Sequence, residues 1–244
     1  MSKVPAITLG FWVIKIFATT LGETGGDALS MSMNLGYLLS TVIFAVSFFA
    51  AVAMQLSMRR FHAVVYWLTI IATTTVGTTL ADFADRSLGI GYAGGSALLL
   101  VLLLTSLFVW YRALGSIAMD TVSSRRAEIF YWVTIMFSQT LGTALGDWSA
   151  DSAGLGYTGA AILFGALLAV IAALYFATRV SRTLLFWAAF ILTRPLGAVV
   201  GDFLDKPLDH GGLNLSRYSA SVTLLVLIGL CIAIFPQRPA HQDH

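Results

Sequence analysis

The chain has 244 residues and a formal net charge of +2; 58% of its residues are apolar, 11% are charged, and the mean hydropathy is +0.85. A soluble domain carries about 25% charged residues to cover its surface, so a water-facing globule is excluded and an integral membrane protein is expected. A single cysteine, Cys231, excludes a disulfide framework, a Cys-x-x-Cys redox pair and a thiolate zinc site.

A transmembrane helix needs about 20 apolar residues. In chain order, the stretches that supply them are 4–22, 36–57, 63–82, 91–111, 127–147, 156–178, 184–203 and 216–235. They use nearly the whole chain, so the sequence predicts one membrane domain over 1–244, with 236–244 as a cytoplasmic tail. The first stretch follows Lys3 much as a secretory signal would. It is nevertheless in register with three later helices and is counted with them.

Basic residues orient the helices. Lys3, Arg59, Arg60, Arg112, Arg125, Arg126, Arg179, Arg182 and Arg238, nine of the fourteen Lys and Arg, fall at the N-terminus, in the links from even to odd helices, or in the tail. Arg86, Lys206 and Arg217 lie on the other side, and Lys15 and Arg194 fall inside helices. The positive-inside rule then puts both termini in the cytoplasm.

An internal repeat organises the chain. Trp12, Trp67, Trp132 and Trp187 each follow an aromatic residue, namely Phe11, Tyr66, Tyr131 and Phe186. Ten residues beyond each tryptophan stands Gly22, Gly77, Gly142 or Gly197, and five further on comes Asp27, Asp82, Asp147 or Asp202. Nine residues later another glycine follows, at Gly36, Gly91, Gly156 and Gly211, with Tyr37, Tyr92 and Tyr157 next in the first three copies. The periods are 55, 65 and 55 residues, which gives repeats at about 4–57, 60–112, 125–178 and 182–235. Two helices per unit give every copy the same orientation. The expected fold class is therefore an all-α membrane protein of eight transmembrane helices, built from four parallel two-helix repeats.

On these motifs the chain resembles a family of bacterial membrane proteins that carry a four-fold repeat of unknown function. The resemblance covers residues 4–235; the departures are Val76-Gly77 and Ala81-Asp82 in the second copy, and Gly212 in place of tyrosine in the fourth. It implies the architecture and a multi-pass location in a bacterial inner membrane. It implies no activity.

Gly22/Gly26, Gly77/Ala81, Gly142/Gly146 and Gly197/Gly201 are small-x-x-x-small pairs, which let membrane helices approach closely. Reading back from the aspartates by seven and four residues finds Thr20 and Glu23, Thr75 and Thr78, Thr140 and Thr143, but Pro195 and Ala198 in the fourth copy. Steps of three, four and seven share a helix face, and hard cations such as Ca²⁺, Mg²⁺ and Mn²⁺ are held by such oxygens. Asp27, Asp82, Asp147, Asp202 and Glu23 are thus candidate metal ligands, because each copy keeps an expensive residue at one helix position. Thr20, Thr75 and Thr140 are secondary candidates, as are Asp85, Asp151 and Asp205, for which wetted loop carboxylates are the simpler reading. Lys15 and Arg194 are each expected to face the bundle interior and pair with a carboxylate. Their role would be a fixed counter-charge or a moving partner in proton or cation exchange. His210 is a weak metal-ligand candidate at the outer mouth.

No Walker loop, His-Glu-x-x-His, Gly-x-Ser-x-Gly or dinucleotide fingerprint occurs, so no enzyme and no bound cofactor are expected. The net charge is spread over loops and suggests no nucleic-acid partner. The lipid bilayer, a cation or small-molecule substrate and a further copy of the chain are the expected partners. A transporter or exporter of cations, with divalent metal as substrate, is the leading expectation, and the Glu23–Asp27 segment is similar to the Glu-x-Gly-Asp motif of a calcium/manganese exporter family, one residue longer. A proton-coupled carrier of small organic cations and a non-transport membrane scaffold are the alternatives.

Overall fold

A computed structural model describes residues 2–240; His241 and His244, which carry no assigned role, lie with the end of the 236–244 tail outside the described residues. Eight long helices follow in order: α1 (Leu9–Asp27), α2 (Gly36–Ser57), α3 (Ala63–Asp82), α4 (Tyr92–Leu114), α5 (Arg125–Asp147), α6 (Gly156–Ala177), α7 (Arg182–Asp205) and α8 (Arg217–Ile234). The described residues contain no strand, only an isolated bridge between Pro5 and Pro239.

The odd helices share a start signal. Thr8, Ser124 and Ser181 each accept a backbone N–H three residues on, at 3.2, 3.2 and 3.4 Å, and the His62 ring nitrogen does the same for Val65 at 3.4 Å. This cap places the start of α1 at Leu9, later than the expected 4, and the helix continues to Asp27, past the expected 22. Three odd helices then run into a five-residue π-helical turn, at Ala28–Ser32, Phe83–Ser87 and Trp148–Ser152. The fourth does not. Pro207 disfavours the helical region for the residue before it, and Lys206 is extended at φ −72°, ψ 154°.

The odd helices form a closed inner ring in which α1 touches α3, α3 touches α5, α5 touches α7, and α7 returns to α1. The even helices sit outside, and each packs mainly on the odd helix of the next copy: α2 on α3, α4 on α5, α6 on α7 and α8 on α1. Small residues set the ring spacing. Gly22 receives the Thr74 side chain, Gly77 receives Gln139, Gly142 receives Arg194 and Gly197 receives Thr19, a cyclic set with one contact per interface. A Cβ on Gly142 would sit 2.1 Å from Arg194 Cγ, and one on Gly197 would sit 2.1 Å from Thr19 Oγ1. Without a hydrophobic force between helices in lipid, such close approach is what holds them together.

Apolar side chains face outward on the even helices: Phe49 is 66% exposed, Phe108 63%, Ile162 67% and Phe176 84%. Contiguous apolar surface of this extent needs a non-aqueous cover. Six helical stretches, Gly36–Ser57, Ala63–Ser87, Tyr92–Leu114, Gly156–Ala177, Arg182–Asp205 and Arg217–Ile234, are long and apolar enough to cross a membrane. The other two long helices, α1 and α5, belong to the inner ring and carry Lys15, Glu23 and Asp27, or Arg125, Arg126, Glu128 and Asp147. The chain is thus an all-α, multi-pass membrane protein.

Candidate functional site

Residues four apart form one buried stripe along each odd helix. On α1 it reads Phe11, Lys15, Thr19, Glu23, Asp27; on α3, Tyr66, Ile70, Thr74, Thr78, Asp82; on α5, Tyr131, Ile135, Gln139, Thr143, Asp147; on α7, Phe186, Phe190, Arg194, Ala198, Asp202. None of these residues is more than 5% exposed. The ring therefore has an aromatic end, a mixed middle and a carboxylate end.

At the aromatic end, the Tyr66 and Tyr131 hydroxyls share a hydrogen bond of 2.5 Å, and Phe11 lies 5.5 Å from Trp67 and 6.2 Å from Phe186 between ring centroids. Trp67, Trp132 and Trp187 are almost fully buried, so these tryptophans fill contacts between copies. Segments from both termini lie over this end. Lys3 pairs with Glu128 at 2.7 Å, the Ala240 N–H donates to the Val4 carbonyl, and Trp67 Nε1 donates to Gln237.

The middle is crossed by Arg194. Its Nη2 lies 3.0 Å from Glu23 Oε2, 2.5 Å from Thr78 Oγ1 and 2.6 Å from Thr143 Oγ1, so one guanidinium from α7 reaches all three other inner helices. Nη1 adds a bond to the Thr19 carbonyl at 3.4 Å. Ala198 is the fourth-copy counterpart of Glu23, Thr78 and Thr143, and Gly142 leaves the room that the stem of Arg194 needs. The expected carboxylate pair for Arg194 is present. The one expected for Lys15 is not: among the described residues its Nζ has no hydrogen-bond partner, and it lies 3.7 Å above the centre of the Phe190 ring. Lys15 stands two helical steps below Glu23, and Arg194 lies between its layer and the carboxylates.

At the carboxylate end two cations clamp the four aspartates in pairs. Arg86 meets Asp82 at 3.0 Å and Asp147 at 3.3 Å; Lys206 meets Asp202 at 3.0 Å and Asp27 at 2.6 Å. Both clamps stand four residues after the aspartate of their own copy and reach the aspartate of the next, which gives the ring a two-fold character. Tyr37 and Tyr92 flank Arg86 at 5.9 and 5.8 Å, so these tyrosines serve the clamp. Burial works against charge on Lys206, but Asp202, Asp27 and Asp205 outweigh it and hold the ammonium well above the usual lysine range. Arg217 sits 2.9 Å from Asp205 and 3.7 Å from Asp27. Glu23, Asp27 and Asp202 each place a carboxylate oxygen within 4.8 Å of the others, the spacing that a single cation needs.

Of the other candidates, Thr20, Thr75 and Thr140 bond to carbonyls of their own helix four residues back, at 3.0, 2.7 and 2.9 Å, and stand apart from this cluster. Asp151 is exposed, as expected of a loop carboxylate. Asp205 and Asp85 are buried instead: Asp205 is held by Arg217, while Asp85 lies against Gly95 with neither oxygen bonded. The His210 side chain is 69% exposed, and among the described residues its one acidic neighbour is Asp209, at 4.0 Å. Sequence reasoning placed Arg86, Lys206 and Arg217 at the helix ends that carry the aspartates but missed them as partners. The Asp82–Arg86 and Asp202–Lys206 spacings of four residues were the available signal.

Fold and site together define a multi-pass, all-α membrane protein with a four-fold internal repeat and a buried ionic cluster at one end. The chain belongs to the family described as Repeat of Unknown Function (DUF347), which it matches at residues 10–61, 65–115, 130–181 and 185–235. No curated protein and no solved structure is detectably similar to it.

Proposed function

We propose that the protein is a membrane transporter or exporter of cations, with divalent metal as its substrate. In this reading all eight helices span a bacterial inner membrane as four parallel repeats around an axis along the membrane normal, with both termini cytoplasmic. The two inner helices outside the six long apolar stretches, α1 and α5, pack between neighbouring helices, which is where charged spans belong. Glu23, Asp27 and Asp202 receive the ion, and Asp82 and Asp147 form the second half of the carboxylate end. The observation that carries the proposal is the convergence of three buried carboxylates from α1 and α7 on a volume small enough for one hard cation. Arg86 and Lys206 close the carboxylate end, and the aromatic layer closes the other. The geometry fits an occluded state in which each end opens in turn.

Radiometal flux into proteoliposomes tests this. Asp27→Asn combined with Asp147→Asn should abolish flux; metal transport that survives both changes would remove the assigned site. One observation favours the scaffold reading as a second possibility: the protein supplies its own cations to Glu23, Asp27, Asp82, Asp147 and Asp202, as a purely structural network would. That reading expects no flux of any ion and a loss of stability alone when these residues are changed.

A further inference from the structure

Resting on the transport reading, we infer that Lys206 is a tethered competitor for the transported divalent cation, which must displace its ammonium from Asp27 and Asp202 to bind. The ammonium occupies the place a cation would take, 2.6 Å from Asp27 Oδ2 and 3.0 Å from Asp202 Oδ1. Asp27 keeps a second oxygen, Oδ1, that is buried and has no partner among the described residues; a ligand between the carboxylates would use it.

Charge selects the substrate class. Arg217 is matched by Asp205, and Arg194 matches one of the three carboxylates Glu23, Asp27 and Asp202. With Lys206 seated the site holds one uncompensated negative charge, and with Lys206 withdrawn it holds two. A divalent ion neutralises the vacated site, whereas a monovalent ion only does again what Lys206 already does.

The departure needs only side-chain rotation. The Lys206 carbonyl accepts the Asn214 N–H at 2.9 Å, and Gly212 lies so close that a Cβ there would sit 2.1 Å from the Lys206 oxygen, so the backbone is pinned. The stem is long and flexible, and the side chain is already 12% exposed at the mouth. An ammonium is compact and well hydrated once released, unlike the planar guanidinium of Arg86 on the opposite pair. Lys206 would then return to its carboxylates as the ion leaves and so drive release.

Only three lysines occur in the chain, Lys3, Lys15 and Lys206, which makes the test clean. In purified wild-type protein, Mn²⁺ should raise acylation of Lys206 by an amine-directed reagent several-fold by mass spectrometry, with Lys3 as the internal reference; unchanged or lowered labelling, while Mn²⁺ binds, overturns the inference. Lys206→Met should bind Mn²⁺ at least about tenfold tighter by electron paramagnetic resonance, because no fraction of the site is self-occupied. Lys206→Arg should bind no tighter than wild type. Equal affinity in wild type and Lys206→Met rejects the competitor and leaves transport standing. Absence of Mn²⁺ binding in both, with no flux of any divalent ion, rejects the transport reading itself.

Discussion

Arg194 and Glu23 meet at 3.0 Å in the centre of the ring, one from the last inner helix and one from the first, and neither side chain is more than 3% exposed. Removing one member of a buried ion pair leaves the other uncompensated, at a cost of about 3–5 kcal/mol. Arg194→Met should therefore lower the thermal midpoint in detergent sharply, and Arg194→Met with Glu23→Gln should recover much of the loss. A double variant no better than the single one would show that the bonds to Thr78 and Thr143 matter more than the charge.

Lys15 should behave in the opposite way. It has a ring beneath it and no acceptor, so replacing it with an apolar side chain of similar length removes a polar group whose burial is poorly compensated. Lys15→Met is expected to keep or raise the thermal midpoint. A clear loss of stability would indicate an acceptor for the ammonium, such as a buried water.

The contrast between these two cations marks how far the sequence could be read. Four-fold periodicity, the aromatic-tryptophan pairs, the small residues at every inner interface and the four aspartates at one end were legible because each repeats. Six of the eight long helices announce themselves as membrane-length by their length and apolar composition. Partner choice was not legible, because it depends on which copies become neighbours around the ring and on how far one long side chain reaches. Lys15 and Arg194 are the same kind of signal in sequence, a lone cation in an apolar helix. Only Arg194 gains a carboxylate: its stem packs on Gly142 and its guanidinium reaches Glu23, whereas Lys15 lies over the Phe190 ring. The clamps Arg86 and Lys206 were missed for a related reason: each pairs along its own helix and across to the next copy, and only the first of these contacts can be read from spacing.

Glycines in the inner ring and on the lipid face should respond differently to the same change. Gly197→Ala would press a methyl group against Thr19, and overpacking of this kind costs typically about 1–3 kcal/mol. Gly165→Ala and Gly229→Ala, on α6 and α8, meet nothing within 4 Å and should be neutral or stabilising by up to about 1 kcal/mol through helix propensity. Thermal midpoints of the three variants check the prediction. Equal behaviour would mean that the ring tolerates a wider spacing than its contacts indicate.

Arg86 offers the sharpest separation between a carrier and a scaffold. It holds Asp82 and Asp147 together at the carboxylate end while its own side chain remains 32% exposed, so its loss leaves two buried carboxylates without their common partner. Arg86→Gln keeps hydrogen-bonding capacity but removes the charge. If Arg86 is only a structural link, the variant should lose stability and nothing else should change. If Arg86 closes the carboxylate end of a transport path, the protein that does fold should show an altered dependence of flux on metal added from that side, with a higher leak rate in proteoliposomes. Asp82→Asn and Asp147→Asn in the Arg86→Gln background should rescue stability in both cases, but they remove two carboxylates of the proposed path, so flux is read on Arg86→Gln alone. The measurement is paired, a thermal midpoint and a flux rate on the same Arg86→Gln preparation, and a lowered midpoint with unchanged flux and no leak of any divalent ion assigns Arg86 to structure alone.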